Sequence, residues 1–133
     1  MRVPTIAALL AAVALTGGAT AVAEEPAPAA GAKRACFFSD QINGWSQGKD
    51  DRVAYLSVGA NRIYRLDLFG RCHDLDTALT IGVETRGGGT SICDGLDVTL
   101  ITRSPVGPFR CPVRSITLLT PEEAAALPRR ERP

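Results

Sequence analysis

Between Arg52 and Val58 the chain is rich in β-branched and aromatic residues, and after Gly59, Ala60 and Asn61 the same character resumes from Arg62 to Phe69. Two such runs around a Gly/Asn turn predict a β-hairpin. In the second run Tyr64, Leu66 and Leu68 fall on one face and Arg65 and Asp67 on the other, the period of two of a strand with one buried and one solvated side. Gly70 ends that strand. The polar stretch Cys72, His73, Asp74, Leu75, Asp76 reads as a turn. It leads either through one helical turn at Thr77 to Leu79 or directly into an extended segment from Leu79 to Val83, and the pattern leaves both open.

Further along, Gly87, Gly88 and Gly89 predict a turn with positive φ. A short strand follows at Thr90 to Cys93, then a hairpin-type turn at Asp94-Gly95 and an alternating strand from Asp97 to Thr102. Pro105 to Pro108 reads as a loop, Pro112 stands where a strand begins, and Val113 to Leu119 is the last strand. Thr120, Pro121, Glu122 and Glu123 then supply a capping hydroxyl, a proline at the first helical position and a glutamate three residues after the cap. One short helix is expected there, ended by Pro128. The fold class is therefore mainly β: a small antiparallel sheet or partly closed barrel with a short C-terminal helix. Strand pattern does not choose between sheet and barrel, because closure depends on register and bulges.

The two ends of the chain lack this patterning. Arg2, an apolar run from Thr5 to Leu15, small residues up to Ala21-Val22-Ala23 and then Glu24-Glu25 have the layout of a cleavable secretory signal over residues 1–23. A membrane anchor needs roughly 20 uninterrupted apolar residues, and Thr16-Gly17-Gly18 breaks this run. Residues 24–33, with Pro26, Pro28 and Gly31 and no large apolar side chain, read as a flexible lead-in. The single domain is expected over residues 34–127, and the arginine-rich residues 128–133 as a solvated tail. Such a protein is soluble once processed, without a membrane span, and works in the periplasm or outside the cell.

Export changes what the cysteines mean. Cys36, Cys72, Cys93 and Cys111 are an even set in a small chain bound for an oxidising compartment, where disulfides persist and a modest core gains most from them. Zinc sites bring two ligands together within two to four intervening residues, and no two of these cysteines lie that close. Three pairings are possible. The nested one, Cys72 with Cys93 and Cys36 with Cys111, is the expectation, because it closes the central excursion locally and ties the first core segment to the last strand.

Charge excludes one class of partner. The formal +1 includes Arg2, so loss of the leader leaves basic and acidic side chains in balance, which argues against nucleic-acid or anionic-lipid binding by bulk electrostatics. The candidate chemistry is sparse. His73, the one histidine, stands beside Cys72, Asp74 and Asp76, but no second histidine completes a metal or acid–base site. The triple glycine lacks the lysine and hydroxyl of a P-loop, and no serine sits in a Gly-x-Ser-x-Gly elbow. No catalytic residue, cofactor or metal is implied. Trp45, in a stretch Asn43-Gly44-Trp45-Ser46 that reads as loop, is the candidate binding residue, since a loop aromatic can anchor a glycan or a protein.

The runs Tyr64 to Cys72 and His73 to Asp76, the glycine turn, Ser91 to Gly95 and Arg110 to Ile116 resemble a family of small exported bacterial proteins known only as a domain of unknown function. The resemblance covers most of 36–127 and implies one domain holding all four cysteines, with no active site to carry over. The expected function is a non-catalytic binding or accessory module of the cell envelope, its partner an envelope protein or cell-wall component. The alternative is a small secreted hydrolase using turn carboxylates such as Asp74, Asp76, Asp94 or Asp97.

Overall fold

The computed structural model describes residues 35–133; the leader and the lead-in lie outside the described residues. Eight strands form: β1 (Phe37–Phe38), β2 (Ile42–Gln47), β3 (Val53–Val58), β4 (Arg62–Leu68), β5 (Gly82–Thr85), β6 (Ser91–Ile92), β7 (Val98–Ser104) and β8 (Gly107–Leu118), followed by a helix α1 (Pro121–Ala126). Six make one antiparallel sheet in the order β2-β3-β4-β8-β7-β5, and β1 pairs with β6 as a separate ribbon. The sheet curls into a half-barrel. Its outer strands β2 and β5 do not pair with each other, yet residues of both line one groove.

The inward faces supply the core. Ala54, Leu56 and Val58 from β3, Tyr64, Leu66 and Leu68 from β4, Val98 and Leu100 from β7, and Cys111 and Val113 from β8 are all buried. Phe37 and Ile92 of the β1–β6 ribbon close over them, the Phe37 ring centroid 4.5 Å from that of Tyr64, and Leu75 fills from the loop after β4. Each large side chain so buried contributes roughly 1.5–3 kcal/mol. The expected hairpin is β3–β4, with Gly59 at φ 62° in its turn, and the expected solvated pair Arg65 and Asp67 forms an ion pair at 2.9 Å on the outer face. Thr120 caps α1 as its sequence requires: its hydroxyl accepts from the Glu123 N–H, and the Glu123 carboxylate accepts from the Thr120 N–H.

Three local readings change. The stretch containing Trp45 is strand β2, not loop, with a register shift between Ile42 and Gly44 absorbing the poor strand formers Asn43 and Gly44. Strand β8 starts at Gly107 and runs through Pro112, where the ladder to β4 ends: Val113 is the last β4 partner, and only the Pro112 carbonyl is used, by the Phe69 N–H at 3.1 Å. Asp94-Gly95 opens a 3-10 turn over Gly95–Asp97 rather than a hairpin, because β6 pairs with β1 and not with β7.

The disulfides are Cys36–Cys93 and Cys72–Cys111, which corrects the nested expectation. The cause is the ribbon. Phe37 faces Ile92 across it, so the next residues out, Cys36 and Cys93, stand opposite with Cα atoms 4.2 Å apart. Cys72 follows β4, whose neighbour β8 carries Cys111, at 5.5 Å. Cys72 and Cys111 are buried whereas Cys36 is exposed. Reduction by a mild thiol should therefore open Cys36–Cys93 first, as thiolate access governs exchange. Timed alkylation and peptide mass spectrometry read the order, and early labelling of Cys72 would contradict it.

The last residues also depart from expectation. They are not a free solvated tail: Arg129–Glu131 forms a 3-10 turn against β2, the Ser46 hydroxyl donates to the Glu131 carbonyl at 2.6 Å, and Glu131 is buried. Arg132 folds back to donate to the carbonyls of Leu127 and Ala125, satisfying groups left over at the helix end. Tyr55, the cross-strand partner of Ser46 on this outer face, is buried, and Glu131 of the strap is near enough to act on its charge. Burial raises the Tyr55 phenol above its ordinary value of 10.0, against the pull of Arg65 and with help from Glu131 and Asp67. The raised group favours the fold below pH 10.0, and that contribution is lost as pH climbs through the native value. Truncation after Pro128 should bring the Tyr55 titration back toward 10.0, as followed by tyrosine ring resonances; an unchanged titration would mean that the strap does not act on it.

Candidate functional site

Trp45 lies on β2, an outer strand of the half-barrel. It is half-buried, faces Leu56 across the β2–β3 ladder on the inward side, and lines two neighbouring grooves at once. The first, about 380 Å³, runs between the sheet edges and is walled by Ile42, Asn43 and Trp45 of β2, Ile81 and Val83 beside and within β5, and Ser39 and Asp40. The second, about 280 Å³, is bounded by Trp45, Ser46 and Gln47, by Leu75, Asp76 and Ala78 of the loop after β4, and by Arg130 and Arg132 of the strap.

The backbone on this side is free as well. Gly48 N–H donates to the Val53 carbonyl at 2.8 Å, which places the hydrogen-bonded pairs of the β2–β3 ladder at Ser46/Tyr55 and Gly44/Ser57. In an antiparallel ladder the intervening residues point their N–H and C=O groups the other way. Trp45 and Gln47 therefore present theirs along the outer edge of the sheet. The same reasoning from the two-residue hairpin closed by Ser104 and Gly107 gives hydrogen-bonded pairs at Ile101/Gly82 and Thr99/Glu84, leaving the Val83 groups on the free edge of β5. Among the described residues two unpaired edges thus border one groove, to which Ile42, Trp45, Ile81 and Val83 bring apolar surface and Ser39, Asp40 and Asn43 polar surface.

Of the other candidates, Asp94 and Asp97 have their carboxylates engaged, whereas His73, Asp74 and Asp76 are engaged through backbone groups. His73 lies edge-on to Phe109, ring centroids 5.5 Å apart, and its carbonyl accepts from the Thr102 hydroxyl. Asp74 adopts φ 60°, a conformation aspartate tolerates in turns, and the Asp76 N–H is fixed by the Gln47 side chain at 3.1 Å. Asp94 and Asp97 form a reciprocal capping box: Asp94 accepts from the Leu96 N–H, and Asp97 from the Cys93 and Asp94 N–H groups. Asp97 also borders a polar cleft of about 360 Å³ with Glu84 and Arg86, where Glu84 is ion-paired with Arg110. The cleft brings two carboxylates together, each already engaged. Among the described residues no group of three or more His, Cys, Asp or Glu side chains is placed to hold a metal ion, and no helix is long and apolar enough to cross a membrane.

Sequence reasoning singled out Trp45 but missed its surroundings. Ile81 and Val83 are distant in sequence and carry no local mark, and Arg130 and Arg132 looked like tail residues. No curated protein and no solved structure matches the chain. A family model matches residues 1–133, the whole chain, with the four cysteines inside it, and on that match the protein belongs to DUF6491, a family of unknown function.

Proposed function

We propose that this protein is a non-catalytic binding module of the cell envelope, and that its contact site is the open side of the half-barrel around Trp45. The observation that carries the reading is the groove itself: a half-buried tryptophan beside an unpaired sheet edge, in a lining that mixes apolar side chains with polar and charged ones. Export is supported by the leader-like residues 1–23 and by two disulfides, which persist outside the cytoplasm. The engagement of Asp94 and Asp97 by backbone donors favours binding over the hydrolase alternative, since a general acid or base must be free to exchange its proton with substrate.

The test pairs fractionation with capture. Tagged protein should be found in the envelope fraction, and the folded wild-type domain should retain an envelope component that a folded Trp45→Ala variant does not. Equal retention by both would move the site elsewhere. Turnover of ester or cell-wall substrates that falls on Asp97→Asn or Glu84→Gln would replace the reading with the hydrolase.

A further inference from the structure

The outer strands β2 and β5 end the sheet, and the groove that residues of both line has a definite chemistry. β2 and β5 run antiparallel to their neighbours through a six-stranded order, and among the described residues the outward backbone groups of Trp45 and Gln47 on one side and of Val83 on the other have no ladder partner. An edge of this kind is a template for a further strand. Natural edges are usually blunted by charge or proline, yet β2 carries neither along Ile42–Gln47; its single irregularity is the shift between Ile42 and Gly44, before the Trp45 to Gln47 stretch begins.

The side chains around the edge discriminate. Along β2 the two grooves that share Trp45 run from Asp40 at the Ile42 end, past Trp45, Ile81 and Val83, to Arg130 and Arg132 at the Gln47 end, where two guanidinium groups outnumber the one carboxylate of Asp76. Arg130 can pair with an incoming group, because among the described residues its one ion contact is a long 3.9 Å approach to the neighbouring Glu131 and its side chain is 74% exposed. A saccharide would use Trp45 and the polar groups but leave the edge amides idle. An extended polypeptide uses all three features at once: backbone bonds to the edge, alternate apolar side chains into the groove, and opposite charges at the two ends.

Resting on the binding-module reading above, we infer that the occupant is an extended segment of a partner polypeptide that adds as a strand to the free edge of β2. Its inward side chains are apolar at alternate positions, it is acidic where it meets Arg130 and Arg132, and it is basic where it meets Asp40. Binding closes the half-barrel. Specificity comes from the charge order along the strand, and affinity from main-chain hydrogen bonds and burial against Trp45.

Trp45 is the single tryptophan of the chain, so its fluorescence reports on this site alone. The probe is a pool of synthetic decapeptides, degenerate among Val, Ile, Leu and Phe at alternate positions, with Glu-Asp at one end and Lys-Arg at the other. Three comparison probes accompany it: the same pool N-methylated at alternate amides, a charge-neutral pool, and a soluble cell-wall saccharide. The pool should shift Trp45 emission and slow hydrogen exchange at the Trp45 and Gln47 amides, and N-methylation should abolish both effects. Arg130→Glu, at an exposed site, should weaken binding roughly tenfold. A pool in which Lys-Arg replaces Glu-Asp at that end should restore it.

Saccharide binding at Trp45 without peptide binding would overturn strand addition while leaving the binding-module reading intact. Protection of the Trp45 and Gln47 amides that rises with protein concentration in the absence of peptide would overturn it in favour of a second copy of this chain. No response to any probe would overturn strand addition together with the groove as contact site.

Discussion

Replacing Tyr64 by alanine is expected to lower stability by about 3–5 kcal/mol, the range for deleting a large buried aromatic. The residue is completely buried, and its ring is the surface on which the β1–β6 ribbon closes, through Phe37 at 4.5 Å. Losing it removes transfer energy and leaves a cavity under two strands of only two residues each, which have little else to hold them in place. The hydroxyl is a minor part of this. It accepts from the Arg62 guanidinium at 3.3 Å, so Tyr64→Phe should cost only about 0.5–1.5 kcal/mol. Urea denaturation of both variants separates the terms; equal losses would mean that the ribbon does not depend on the ring.

The second large effect is steric. A methyl group at Gly95 would lie 2.5 Å from the Arg114 carbonyl carbon and the Ser115 nitrogen, both backbone atoms of β8. No side-chain rotation relieves that contact, so Gly95→Ala should destabilise by about 3 kcal/mol, the upper end of overpacking costs. The backbone at Gly95 does not have positive φ, which leaves close approach as the whole reason for glycine. Gly70 is the control. Nothing lies within 4 Å of a methyl group there, and Gly70→Ala should leave the denaturation midpoint nearly unchanged. A Gly95→Ala protein as stable as the Gly70→Ala protein would show that the 3-10 turn does not press on β8.

These two positions illustrate what was legible in the sequence. Tyr64, Leu66 and Leu68 declare a half-buried strand by their spacing alone, and Thr120 with Glu123 declares a helix start, because both signals are local. Strand β2 is invisible by the same test: Asn43 and Gly44 argue against a strand, and what makes one is pairing with β3. The cysteine pairing fails for a similar reason, since it follows from a ribbon of two-residue strands too short to show any period. The burial of Glu131 depends on a serine hydroxyl 85 positions away, Ser46, and no pattern in the tail announces it. At the candidate site, Trp45 was visible as a residue worth attention. The groove was not, because its walls come from opposite ends of the strand order.

A sheet that stops at β2 and β5 while its core is filled has no need of a further strand for stability, but it keeps the means to accept one. The Cys36–Cys93 bridge anchors the ribbon just before Ser39 and Asp40, which border the same groove.

Amide hydrogen exchange of the free monomer reads the state of the β2 edge. With the edge open, the Trp45 and Gln47 amides should exchange at close to the rate of an unstructured chain, while those of Leu56 and Leu66, inside the β2-β3-β4-β8 ladders, are strongly protected. Protection of Trp45 and Gln47 matching that of Leu66 in dilute, monomeric protein would show the half-barrel already closed, with no free edge for a partner to use.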